Sequence, residues 1–95
     1  MGAKMEIRFR TEIIGQMTNP YREDYWIHGR FAPADGYYKY FDFFEALVCE
    51  DGMDESRFDQ ELFNENNWFV ADENGLHGIW FPAIYTDGDI SIRYR

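Results

Sequence analysis

Few residues in this chain have side chains suited to nucleophilic or acid–base chemistry, and they lie far apart. The sequence holds two histidines, His28 and His77, one cysteine, Cys49, and two serines, Ser56 and Ser91. No G-x-S-x-G, G-x-G-x-x-G, H-E-x-x-H or P-loop pattern links them, and no catalytic residue is assigned. Cys49, in "ALVCED", reads as a small core residue. His77 is expected to pair with Asp72 across a hairpin end. His28, between Ile27 and Gly29, is the imidazole placed to line a cavity.

The acidic groups are clustered. The formal charge is −9. Residues 1–34 carry five basic and four acidic groups, a net of +1. Residues 35–73 carry twelve acidic groups against Lys39 and Arg57, a net of −10, and residues 74–95 balance at zero. Such a middle section argues against binding a phosphate backbone, because nucleic-acid binders need a basic footprint. "CEDGMDE" gathers Glu50, Asp51, Asp54 and Glu55. Oxygen ligands suit calcium or magnesium, but this is not the spacing of a calcium loop. A turn running into a helix N-terminus accounts for these acids, so neither a metal nor another cofactor is expected.

Two functional readings follow. The first is a small acidic protein-binding module, of the kind that inhibits or confers immunity by masking a basic partner. Asp51, Asp54, Glu55, Asp59 and Glu61 would face that partner, because acidic surfaces steer the encounter with a basic protein. The like-charged pairs Glu55–Asp59 and Glu61–Glu65 at i, i+4 cost a helix a few tenths of a kcal/mol, which hints that the surface is used. The second is a small-molecule or enzymatic pocket on a curled sheet, lined by Trp26, His28, Arg30, Phe41 and Phe43. A purely structural domain is the third possibility.

These residues need a scaffold. Ninety-five residues with 45% hydrophobic and 20% aromatic content suit one folded domain over 1–95. Residues 1–4 look like a disordered leader, and either Met1 or Met5 serves as the start. No apolar run approaches the roughly 20 residues of a membrane helix, and "MGAKMEIRF" is not a secretory signal. The single cysteine suits the reducing cytoplasm.

Alternation over 5–13 predicts a first strand with Met5, Ile7, Phe9 and Ile13 on one face. "TNPYRED" reads as a loop and "YWIHGRF" as a second strand. "YYKYFDFF" fits both a helical stripe (Tyr37, Tyr40, Phe41, Phe44, Leu47, Val48) and a strand over 38–48. The β propensity of its rings favours the strand. That places Phe41 and Phe43 on the face shared by Trp26, His28 and Arg30. Residues 54–65 read as a helix capped by Asp54. Asn74-Gly75 and Asp87-Gly88 predict two hairpin turns. Trp68, Val70, Ile79, Phe81, Ala83, Tyr85, Ile90, Ile92 and Tyr94 then share one apolar face, with Phe69, Trp80, Ile84, Ser91, Arg93 and Arg95 on the other. Pro82 predicts a bulge or break. The expected fold is α+β: an antiparallel five- or six-stranded sheet, β-β-β-α-β-β-β, with one helix at about 54–65.

Overall fold

A computed structural model describes residues 5–48, 56 and 58–95. The fold is α+β, a single antiparallel sheet of seven strands with two short helices. The strands are β1 (Met5–Phe9), β2 (Glu12–Glu23), β3 (Trp26–Pro33), β4 (Trp68–Asp72), β5 (Gly75–Gly78), β6 (Ala83–Ile84) and β7 (Asp89–Arg93). Between β3 and β4 lie α1 (Asp35–Lys39), α2 (Phe41–Leu47) and two 3₁₀ turns, Gln60–Phe63 and Glu65–Asn67. The strand order is β5-β4-β1-β2-β3-β7-β6.

The sheet curls until it closes. Beyond β5, Ile79 pairs with Tyr94 just after β7. Ile79 N–H donates to Trp68 O on one side, while Trp80 N–H donates to Arg93 O and Arg95 N–H to Gly78 O on the other. β5 and its continuation through Trp80 therefore join β4 to the end of β7. The interior so enclosed holds Met5, Ile7, Phe9, Ile14, Met17, Ile27, Val70, Ile79, Ile90 and Ile92.

Several expectations shift. The first predicted strand is two, because the chain reverses at Arg10-Thr11 with Arg10 in the left-handed region (φ 56). A bulge then turns Ile14 inward and leaves Ile13 exposed. "TNPYRE" is the second half of β2, and the Asp24 that follows it begins the turn into β3. Asn19 (φ 51) and Pro20 sit where the β2–β3 register shifts, the position a strand proline tolerates.

The predicted strand over 38–48 is helical, as the alternative stripe implied. Phe43 and Phe44 enter the core, Tyr37 and Tyr40 pack against it, and Tyr38 and Phe41 face outward. Burial of these rings in the core outweighs their β propensity. The predicted helix at 54–65 is corrected where it can be seen. Asp59 is extended and accepts a hydrogen bond from Glu61 N–H, and 60–63 is a 3₁₀ turn. Residues 54 and 55 lie outside the described residues.

The hairpins show what a register error does and does not cost. The β4–β5 turn is Glu73-Asn74, so Val70 lies opposite His77 instead of Ile79. That slip is two residues, and because side chains alternate with period two it preserves the buried face. Across Pro82 the slip is one residue: Ile84 pairs with Ile90 and Ala83 with Ser91. Ile84 is therefore in the core and Tyr85 exposed, the reverse of the expectation.

The helices are tied to the sheet at Glu12. Its carboxylate accepts from Tyr40 Oη at 2.7 Å and from Lys39 Nζ at 3.1 Å. The Tyr40 hydroxyl, aided by Lys39 and opposed by desolvation, holds the Glu12 carboxyl below its ordinary value of 4.5. A lowered carboxyl contributes stability above the unfolded-state pKa and loses it as pH falls through the folded value. Tyr40→Phe should raise the Glu12 pKa toward 4.5 and shrink this acid-sensitive share of stability. Carbon-detected NMR titration of Glu12 measures the first effect, and urea melts at acidic and neutral pH the second.

Trp68 is fully buried, whereas Trp26 and Trp80 are each 41% exposed. Trp68→Ala should cost about 3–5 kcal/mol, a large part of a small domain's stability. Trp80→Ala should cost far less. Denaturant unfolding of the two variants checks the contrast, and equal losses would contradict this assignment of faces.

Candidate binding face

β3 and β7 pair directly, with Trp26 opposite Arg93, His28 opposite Ser91 and Arg30 opposite Asp89. Paired residues share a face, and here it is the outer one, since Ile27, Gly29, Ile90 and Ile92 turn inward. β2 extends these rows by placing Tyr21 opposite His28 and Glu23 opposite Trp26. Trp80 extends the first row on its other side, because its N–H bonds Arg93 O.

The first row is Trp80–Arg93–Trp26. The Arg93 guanidinium lies 5.3 Å from the ring centre of Tyr25, which is 77% exposed. Cation–π contact of this kind is favourable by about 0.5–1 kcal/mol at an exposed site. Arg93 has no carboxylate partner among the described residues.

About 7 Å along the strands, the second row forms the floor of a groove of about 520 Å³. His28 Nδ1 and Ser91 Oγ are 2.7 Å apart, and Ser91 is 8% exposed. The tilted Tyr21 ring lies 5.3 Å from the imidazole. Asn19, Tyr85, Arg30, Asp87 and Asp89 complete the walls. Arg30 Nη1 donates to Asp89 Oδ1 at 2.6 Å, and Nη2 to Asp87 O at 3.2 Å. Gly88 (φ 93) makes this possible, since a Cβ there would lie 2.8 Å from Arg30 Nη2. A serine–imidazole pair at this distance resembles an activated nucleophile. No third group among the described residues orients His28, and the hydrogen bond ties β3 to β7 at the groove floor.

The structure divides the sequence-predicted pocket. Trp26, His28 and Arg30 do share the outer face. Phe41 and Phe43 do not join them: both belong to α2, Phe43 is buried in the core, and they line a separate cleft with Tyr38 and Phe58. Of the acidic residues expected to face a partner, Asp51, Asp54 and Glu55 lie outside the described residues. Asp59 caps a 3₁₀ turn. Glu61 pairs with Arg10 at 2.8 Å and accepts from Asn67 Nδ2. His77 does pair with Asp72, at 3.1 Å. The Asn74 N–H, with His77 adding to it, holds the Asp72 carboxyl below its usual range.

Tyr21, Tyr85, Ser91 and Arg93 were not assigned to the site from sequence. The alternation of "DISIRYR" does separate Ser91 and Arg93 from the isoleucines. The missing fact was that β7 lies beside β3, a pairing that bridges residues 63 apart.

Among the described residues, no group of three or more His, Cys, Asp or Glu is placed to hold a metal ion. No helix among them is long and apolar enough to cross a membrane.

Ser91→Ala should lower stability by about 1 kcal/mol, since it leaves the His28 nitrogen without its partner. A double-mutant cycle with His28→Ala should return a coupling of about 0.5–1.5 kcal/mol. Additive losses in urea melts would mean that the pair contributes nothing to the groove floor.

No family model, curated protein or solved structure matches the chain.

Proposed function

We propose that this is a protein-binding module that engages a basic partner through the outer face of β2, β3 and β7. One observation carries the proposal. Among the described residues, five of the seven exposed large aromatic residues gather here: Tyr21, Tyr25, Trp26, Trp80 and Tyr85. Arg30 and Arg93 lie among them. Trp, Tyr and Arg are the residues that dominate binding energy at protein interfaces. Exposed acids border the patch at both ends, Glu23 and Asp24 at one and Asp87 and Asp89 at the other, which matches the usual apolar centre and polar rim.

The basic character of the partner is inferred from charge. The chain carries −9 overall, so its field accelerates the approach of a cationic protein and slows that of an anionic one. The encounter is proposed to occur in the cytoplasm, in keeping with the single cysteine. Asp51, Asp54 and Glu55 keep their proposed part in steering, while the aromatic face supplies the docking contacts.

A host lysate passed over the immobilised protein tests this. A basic protein should be retained at low salt and released as the Debye length shrinks to about 3 Å near 1 M. Trp26→Ala with Trp80→Ala should lose it, because each anchor at such a centre is worth about 2 kcal/mol or more, while the melting temperature stays near that of the wild type. Undiminished capture by the double variant would exclude this face. Capture of acidic proteins alone would exclude the partner class.

A further inference from the structure

The groove beside the tryptophan row has a shape and charge of its own. We propose that it receives a single cationic side chain of the partner, with arginine preferred over lysine. This rests on the protein-binding reading and adds which group of the partner enters which site.

The walls argue for a flat cation. The Tyr21 and Tyr85 rings flank an opening whose floor is the His28–Ser91 pair. Two phenol rings lining a groove with a polar floor suit a guanidinium, which stacks on aromatic rings and is less strongly hydrated than an ammonium. Among the charged side chains that line the groove, carboxylates outnumber guanidiniums by one, while Arg93 lies in the neighbouring row against Tyr25. The groove contains Asp87, Asp89 and Arg30, and the Arg30–Asp89 pair at 2.6 Å leaves Asp87 over. One Asp87 oxygen accepts from Asp89 N–H at 3.1 Å, which holds the carboxylate beside the groove it lines.

Neutral ligands would use the hydrogen-bonding groups but not the charge. Anions would meet both the local excess and the −9 of the whole chain. An arginine side chain suits the rings, the charge of Asp87 and the long-range field together. Arg30 does not block it. Its guanidinium folds over Gly88 and is held by Asp89 and by Asp87 O, so its charge is answered from its own side of the groove.

The test is an NMR titration of the full chain with N-acetylarginine methylamide, the corresponding lysine compound and N-acetylglutamate methylamide. The arginine probe should give saturable shifts in the side-chain resonances of Tyr21, His28 and Tyr85, and the lysine probe weaker ones at the same positions. Asp87→Asn keeps the oxygen that accepts from Asp89 N–H and removes only the charge, and it should weaken the arginine probe by roughly threefold. Tyr85→Ala should weaken it by a similar factor.

Shifts from the glutamate probe at these residues, or arginine shifts confined to Tyr38 and Phe41 of the helices, would overturn the assignment. So would the absence of any saturable shift. None of these results touches partner capture through Trp26 and Trp80, so the groove can fail while the protein-binding reading stands. Loss of capture without loss of probe binding would show the converse.

Discussion

The ring of Trp68 is where the separate layers of this molecule meet. It lies opposite Phe9 across β1 and β4, with ring centres 4.9 Å apart. From the helical side Phe43 stacks on it at 6.0 Å and Phe44 meets it edge-on at 5.7 Å. Its indole N–H donates to Leu62 O at 2.8 Å. A buried indole needs such a partner, and this one fixes the 3₁₀ turn against the sheet. The backbone around it is held equally firmly. Trp68 O accepts from Ile79 N–H and from Arg95 Nη2, and Arg95 also reaches Ile79 O and Asn66 Oδ1. Strand, helix, turn and C-terminal arginine are thus fixed relative to one another around one side chain.

That arrangement explains how a chain with so many rings divides them. Within "YYKYFDFF", Phe43 and Phe44 close the core beside Trp68, and Tyr37 stacks on Phe44 at 5.5 Å. Tyr38 and Phe41 are left to solvent. Because the helices cover one flank of the curled sheet, the outer face of β2, β3 and β7 has no layer above it. The aromatic residues there are not a remainder of core formation. Trp26, Trp80 and Tyr85 each adjoin a buried isoleucine (Ile27, Ile79 and Ile84), so that their own side chains take the outer face.

How much of this was legible depends on whether the determining contact was local. Alternation separated Trp26, His28 and Arg30 from Ile27, and Ser91 and Arg93 from Ile90 and Ile92, because period-two patterning survives wherever the strand pairs. The burial of Trp68 and Val70 was likewise readable, since a two-residue slip in the β4–β5 turn leaves the face unchanged. The turn at Arg10-Thr11 was hidden because it contains no glycine, although Arg10 takes positive φ; the reversal at Asp24-Tyr25 was expected, but as a longer loop that took in the second half of β2. Pro82 announced a break but not its direction, and that one-residue uncertainty moved Ile84 from the surface to the core. The site was legible in halves. Each half of the outer face was visible as a polar stripe, but nothing local says that β3 and β7 lie side by side.

The closure of the sheet through Ile79 and Tyr94 bears on how the protein is made. A chain leaving the ribosome can assemble β1, β2 and β3 as a meander as soon as residue 33 is free. The strands that flank it come from the last third of the sequence. β4 must return to β1 and β7 to β3, and the ends at Gly78 and Arg95 must then meet. The entropy of closing those long loops is lost before any of the pairs can form. Until β7 arrives, the Ile27 and Met17 side of the meander is wet and its outer strand is open to other chains. Completion of the sheet therefore waits until the residues through Arg95 have emerged, and the interval before β7 docks on β3 is when the meander is most exposed to misassembly.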